Sequence, residues 1–434
     1  MTEQMVLALV LLVALYGALV WDRFSRAVMA LLAAALAIFL GLIDQHAAVA
    51  GIDFNTLGLL VGMMLVVAVA RRSGLFEYGA LLALHGARGR PALLLALLTL
   101  GTALFSAFLD NVTTILLVAP VTMAICKRLS LDPYPFLFSE IFASNIGGTA
   151  TLIGDPPNIL IGSANGFTFA DFATALGPIV LVLLLAQLGI IHFFWGRKLR
   201  VEEGVRESAL ELSARRAIRS RRLLVQSLGV IGAMLLAFIW QRELRQEPAT
   251  IALGGAAILM LLDSLTIGAG EQHRRAEKVF AETEWVTIFF FIGLFVVVAA
   301  LERSGLLTLA SHHLAATAHG PASLAILILW SSAVLSAFLD NIPFVAAMIP
   351  VIKNLGPELG GEAALRPLWW ALALGACLGG NGTLIGASAN VSMAGLAERE
   401  GVHFSFMGYM ARAFPLMMGS ILIAHLYLWW RYLS

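Results

Sequence analysis

Charge is scarce in this sequence. Asp, Glu, Lys and Arg make up 13% of its 434 residues, about half of the roughly 25% usual in a soluble domain. So little polar surface cannot cover the 60% of the chain that is apolar, which excludes an ordinary water-soluble fold. Cysteine is rarer still. Cys126 and Cys377 both lie inside apolar segments, too few for a disulfide framework or a Cys-rich metal centre. The four lysines follow Cys126, Arg197, Glu277 and Ile352, so there is no Gly-Lys pair and no phosphate-binding loop for ATP. A separate ATPase subunit would have to supply such energy, and nothing in the sequence supports one. No HExxH pattern exists, and a formal net charge of +1 speaks against nucleic acid as a partner. The first apolar stretch, from Met5, has no Lys or Arg before Arg23. It lacks the basic start of a cleaved signal peptide and reads as a span.

Long apolar runs are what the sequence has in abundance, and their partner is the lipid bilayer. They approach the roughly 20 residues needed to cross about 30 Å of hydrocarbon. Five runs are expected at 5–21, 27–43, 56–72, 134–165 with a break, and 175–195. Five more follow a charged linker, at 223–240, 249–267, 285–303, 367–397 with a break, and 416–430. One further apolar segment lies between the third and fourth run of each half, at 91–126 and 321–352, and Asp-Asn interrupts each near its middle. A polar break at mid-membrane suits a re-entrant hairpin whose tip faces protein or a water-filled cavity.

The halves repeat each other. Residues 106–111 and 336–341 both read SAFLDN, 230 positions apart. Arg72-Ser73-Gly74-Leu75 recurs as Arg303-Ser304-Gly305-Leu306, and Thr151-Leu152-Ile153-Gly154 as Thr383-Leu384-Ile385-Gly386. Five crossings per copy make the second copy enter from the opposite face. The expected fold is an all-α polytopic membrane protein of two inverted five-helix repeats, about ten transmembrane helices in all, each repeat with a re-entrant hairpin and a broken helix. Basic residues test this arrangement. With both termini outside and the 197–222 linker in the cytoplasm, Arg242, Arg245, Arg303, Lys353, Arg366 and Arg431 alone fall outside, leaving 22 of 28 basic residues inside. The hairpins then enter from opposite faces, and their tips can meet.

Asp110 and Asp340 are acids in the middle of hydrophobic hairpins, where insertion costs roughly 2.5–3.5 kcal/mol each. They invite a functional reading: with Asn111 and Asn341 they offer hard oxygen ligands to Na⁺, or they carry a proton. A structural reading is that they cap the helices that meet at each tip. Both can hold. The first break, residues 144–158, carries Asn145, Thr149, Thr151, Asp155 and Asn158 among paired glycines and prolines. An unwound stretch results, whose carbonyls and helix ends can coordinate an ion. The second break, residues 376–390, carries Cys377, Asn381, Thr383, Ser388 and Asn390, with Ala387 in the place of Asp155. Candidate Na⁺ positions are therefore Asp110, Asn111 and Asp155, and Asp340, Asn341 and Asn381. Na⁺ or H⁺ is the expected coupling ion, and no other cofactor is expected. With no basic residue among the matched motifs, the field favours a cation, a proton or a neutral hydroxylated solute over a multiply charged anion. Cys377 aligns with Asn145 and would offer sulfur to a trivalent metalloid, or pack as a small buried hydrophobe. Glu140 reads as an acid near the interface or a proton relay, and His312 and His313 as solvated.

At SAFLDNVTTILLVAPVT from Ser106 and NIGGTATLIGDPPN from Asn145, the chain resembles the ion transporter superfamily. The likeness is to the branch holding the arsenical-pump membrane protein, the NhaD-type Na⁺/H⁺ antiporters and the P protein, and it is greatest to P-protein-like members. The resemblance implies no enzyme but a secondary transporter of a small inorganic solute, usually a homodimer working as an elevator. It divides the chain into repeat 1 at 1–195, a linker at 196–222 and repeat 2 at 223–434. Scaffold parts would be 1–90 and 223–320, sliding against transport parts at 91–195 and 321–434. Sodium-coupled dicarboxylate relatives carry Ser-Asn-Thr at the hairpin tips. Asp110-Asn111-Val112 and Asp340-Asn341-Ile342 depart from that, which argues against dicarboxylate or citrate-type uptake. Arsenite or antimonite efflux is the first expectation and Na⁺/H⁺ antiport the second. From another class, an ion channel would not need paired inverted hairpins.

Overall fold

The computed structural model describes residues 1–21, 23–210, 214–265, 268–317, 320–359 and 361–433. Eight principal helices come from each half. In the first they are α1 (Glu3–Trp21), α2 (Arg26–Phe39), α3 (Phe54–Arg71), α4 (Pro91–Ser106), α5 (Asn111–Arg128), α6 (Tyr134–Thr149), α7 (Pro156–Asn165) and α8 (Phe169–Phe194). Their counterparts in the second are α9 (Arg221–Ile239), α10 (Pro248–Ser264), α11 (Trp285–Arg303), α12 (Pro321–Phe338), α13 (Asn341–Asn354), α14 (Glu362–Gly379), α15 (Ser388–Arg399) and α16 (Phe406–Leu428). The two-repeat plan with hairpins α4/α5 and α12/α13 and broken helices α6/α7 and α14/α15 is as expected.

Among the described residues, eight helices are long and apolar enough to cross a membrane, including the hairpin arms Asn111–Arg128 and Pro321–Phe338. The second span of each half, Arg26–Phe39 and Pro248–Ser264, is shorter. Three helices begin well before the expected runs: α8 at Phe169 rather than 175, α16 at Phe406 rather than 416, and α14. α14 begins at Glu362 rather than at Pro367, because a proline one turn into a helix forfeits one early backbone bond without ending it. Within the linker, Glu203–Leu210 and Ala214–Ala217 are helical. Residues 211–213 of that linker, and Thr266 and Ile267 at the end of the run expected at 249–267, lie outside the described residues.

The scaffold spans pack across the repeats through small residues. A Cβ on Gly62 of α3 would lie 2.6 Å from the Ala252 carbonyl carbon of α10, and one on Gly293 of α11 would lie 2.5 Å from that of Ala30 on α2. In hydrocarbon, helices gain from such backbone approach because no hydrophobic drive holds them together. The hairpins pack on the broken helices in the same way, Gly147 against Ala103 and Gly379 against Ala333. At the base of the first hairpin, Leu94 shares an apolar cluster with Ile125 and Cys126, so α5 returns to the end from which α4 set out.

Ion pairs provide an independent test of which loops share a face. Arg71 pairs with Glu282, Arg72 and Arg275 with Asp263, and Arg219 with Glu77. All of these were assigned to the basic face. On the other face Arg303 pairs with Asp44, and Arg242 and Arg366 with Asp171. No described pair outside the site joins loops assigned to different faces.

Gly293→Val should force α2 away from α11 and lower stability by at least about 1–3 kcal/mol, read as a lower melting temperature in a detergent thermostability assay. Gly17→Ala, with nothing within 4 Å of the added Cβ, should leave it unchanged.

Candidate functional site

Each hairpin turns on an Asp that caps the following helix. Asp110 accepts Thr113 N at 2.8 Å and Asp340 accepts Ile342 N at 3.1 Å, so the capping geometry expected of them is present. The breaks are laced by asparagine. Asn158 Nδ2 donates to the carbonyls of Gly148, Thr149 and Thr151 at 2.9–3.3 Å. Its counterpart Asn390 donates to those of Gly380 and Thr383 at 2.7 and 2.9 Å. These carbonyls have no helix to pair with and no bulk water, so the amides remove a cost that would otherwise close the break. Thr151 and Thr383 tie the breaks to their own hairpins through the carbonyls of Ala107 and Ala337, while Thr149 bonds back to Asn145 O.

Above the laced segments an amide network joins the halves. Asn145 Nδ2 donates to Asn381 Oδ1 at 2.9 Å and Asn390 Oδ1 at 3.0 Å, and its Oδ1 accepts from Asn111 Nδ2 at 3.1 Å. Asn111 and Asn341, one from each hairpin, both point an amide at Asp155 Oδ1, at 3.3 and 3.4 Å. Asp155 is fully buried. Its Oδ2 and the Nδ2 of Asn381 have no nitrogen or oxygen partner among the described residues, and the Cys377 thiol lies within reach of the Asp155 carboxyl. Asp155, Asp110, Asn111, Asn341 and Ser388 line a cavity of about 320 Å³, with Glu284, Thr287 and Ser392 completing its polar wall. Cys377 is fully buried behind this wall, with Sγ 3.6 Å from Asn158 Oδ1.

The candidate residues fall into three sets, with Asp340 apart from them in a separate small pocket beside Tyr16 and Arg26, so the expected grouping of Asp340, Asn341 and Asn381 is not brought together. Asp110, Asn111, Asp155, Asn341 and Ser388 meet at the cavity. Asn145, Asn381 and Cys377 stand behind it. Thr149, Thr151, Asn158, Thr383 and Asn390 brace the unwound chain. Among the described residues no three His, Cys, Asp or Glu side chains are grouped to hold a metal ion, so Na⁺ here would need a mixed set of carboxylate, amide and hydroxyl oxygens. Glu140, expected near the interface, is fully buried and accepts from Thr122 Oγ1 at 2.5 Å.

Sequence reasoning missed Arg26 and Glu284. The motifs contain no basic residue, yet Asp340 does not lack a cation: the Arg26 guanidinium, at the start of α2, pairs with its Oδ2. In the sequence alone, Arg26 reads only as a topology charge. Glu284 stands at the start of α11 where Asp53 stands at the start of α3, but only Asp53 accepts from the helix's free N–H groups, while Glu284 accepts from Thr287 Oγ1 at 3.2 Å. The 231-residue offset that relates Arg72 to Arg303 and Thr56 to Thr287 also relates these two acids, a match visible only when loop positions are aligned as closely as the motifs. Glu284 stands just before its span, and burial pushes its carboxyl up to about 7, with the Asp110 carboxylate adding to the rise.

A helical membrane protein of two inverted repeats whose hairpin tips and helix breaks surround one polar cavity defines a membrane transporter. The profile of the citrate transporter family, CitMHS, matches residues 16–375, and the chain belongs to that family. It is 42% identical to an uncharacterised transporter of Mycobacterium tuberculosis over 98% of both chains. It is 34% identical to the P protein of Mus musculus over 98% of this chain and 61% of that one, so it spans less than two thirds of the P protein. The YdaH transporter of Alcanivorax borkumensis, whose crystal structure is described as revealing an unusual topology, aligns over 99% of both chains with a TM-score of 0.54 and 14% identity, a likeness of fold. The resemblance to P-protein-like members of the ion transporter superfamily is borne out.

Asn158→Ala leaves three buried carbonyls without a donor and should cost about 1–3 kcal/mol, a clear drop in melting temperature. Asn165→Ala, which removes one partly buried bond to Ile161 O, should cost less. Between its ordinary 4.5 and about 7, Glu284 holds a proton in the folded chain that the unfolded chain has lost. Stability therefore falls as pH rises through that window. Glu284→Gln should flatten the fall in a pH series of melts.

Proposed function

We propose that this protein is a cation-coupled secondary transporter of the cell's inner (plasma) membrane that exchanges Na⁺ for H⁺. One observation carries the reading. Asp155 is an acid without a salt bridge among the described residues, held between both hairpins beside a 320 Å³ cavity, with one oxygen accepting from each repeat and no cation, only the Cys377 thiol, within reach of the carboxyl besides. A buried carboxylate of this kind calls for a cation or a proton. Asp110 and Glu284 on the same wall add to an acidic field that repels multiply charged anions, including citrate.

Exchange proceeds as an elevator. Hairpins, broken helices, α8 and α16 carry the site against a scaffold of the first three spans of each repeat, in a homodimer with termini outside and the linker in the cytoplasm. The division is supported by the packing: small-residue contacts tie α2 to α11 and α3 to α10, and a separate set ties each hairpin to its broken helix. Arsenite or antimonite efflux is the second reading. Ser388, Ser392, Asn111 and Asn341 on the cavity wall offer hydroxyl and amide groups to a neutral trihydroxy species. Cys377, off that wall, would not touch it.

Proteoliposomes loaded with a pH-sensitive dye test these readings. An inward Na⁺ gradient should make the lumen more alkaline, and Asp155→Asn should reduce the response to that of empty liposomes. Arsenite uptake, or citrate uptake, without a sodium-driven pH change would overturn the exchange reading in favour of that solute.

A further inference from the structure

Asp340 has one charged partner that the duplicated plan did not require. Its Oδ1 accepts Ile342 N at 3.1 Å, while Oδ2 takes the Arg26 guanidinium and the Ser388 hydroxyl, the latter at 3.1 Å. Arg26 Nη1 also donates to Ser388 Oγ at 3.0 Å. The set joins three elements: α2 of the scaffold, the second hairpin, and the start of α15. Side-chain exposure is 22% for Arg26 and 7% for Asp340, so the pair is partly shielded from solvent.

The repeats show that this cation is an addition. Ala30 meets Gly293 as Ala252 meets Gly62, and this register puts Pro248 where the first repeat has Arg26. Asp110, the counterpart of Asp340, shares its cavity wall with Glu284 instead. Ser388 belongs both to the Arg26 pair and to the cavity wall, so the pair borders the space through which a cation would reach the hairpin tips. Among the described residues, Tyr16 of α1 and Asp155 are further titratable groups close to Asp340.

We propose that Arg26 is a tethered competitor for the coupling cation at Asp340. This rests on the reading of the protein as a cation-coupled transporter. When the site stands at the basic face, Arg26 occupies Asp340 and drives the cation off. When the hairpin moves away from α2, the carboxylate loses Arg26, and a shielded acid without a counter-charge must take up a cation or a proton. Binding of the cation and pairing with Arg26 exclude one another, so release is favoured on one side only.

Binding of ²²Na⁺ to purified protein at fixed pH tests this. If Arg26 holds Asp340 in about nine molecules of ten, its removal raises apparent Na⁺ affinity about tenfold. Arg26→Gln should therefore bind Na⁺ more tightly while turning over more slowly in proteoliposomes, because release becomes limiting. Arg26→Lys should fall between Arg26→Gln and wild type. Asp340→Asn added to Arg26→Gln should abolish the gain. Unchanged or weaker binding by Arg26→Gln, or a gain that survives Asp340→Asn, overturns the inference while leaving cation-coupled transport standing. Should Arg26→Gln not fold, Arg26→Lys serves in its place, with a smaller gain of the same sign expected, and no gain sinks the idea. A wild type that binds no Na⁺ yet transports an uncharged solute removes the underlying reading itself.

Discussion

Helix breaks in hydrocarbon leave carbonyl oxygens that no water can satisfy, and the rest of this structure depends on how those oxygens are answered. Asn158 and Asn390 answer them from within the chain, one for each repeat. Each lacing amide belongs to the helix that follows its own break, so each unwound stretch carries its own brace. The braced shape aims Asn145, Asn381 and Asp155 at one another and sets the hairpin tips beside them. A glycine-rich break without these amides would either wind into helix or collect disordered water.

The two-fold plan converges on an asymmetric centre. Asp155 faces Ala387 across the register, Asn145 faces Cys377, and Thr149 faces Asn381. Two carboxylates at the centre would repel at close range in a medium of low dielectric. With one, both hairpins can direct their amides to the same oxygen. The duplicated acids Asp110 and Asp340 are displaced to the tips, where they cap helices and meet different partners.

Much of this was legible because repetition and periodicity are properties of the chain alone. SAFLDN, repeated, located both hairpins, and the Gly-Gly and Pro-Pro pairs marked where the helices break. The basic residues assigned each loop to a face, and the ion pairs of Asp44, Asp171 and Asp263 agree with that assignment. Arg26 was not legible. A single arginine at the head of an apolar run has the same appearance whether it marks the membrane surface or reaches a hairpin from the other repeat, 314 residues away. The division of Asn residues was also hidden: nothing in spacing separates Asn158, which laces backbone, from Asn145, which joins the halves.

The amide hub has a consequence for how such a chain can diverge. Asn145 bonds to Asn111, Asn381 and Asn390 at once, so the descendants of the duplicated segment no longer own separate interiors. A mutation accepted in one copy alters the surroundings in which the other was selected. Drift in the halves is therefore coupled, and swapping one copy for the matching part of a distant homologue would bring together residues with no shared history.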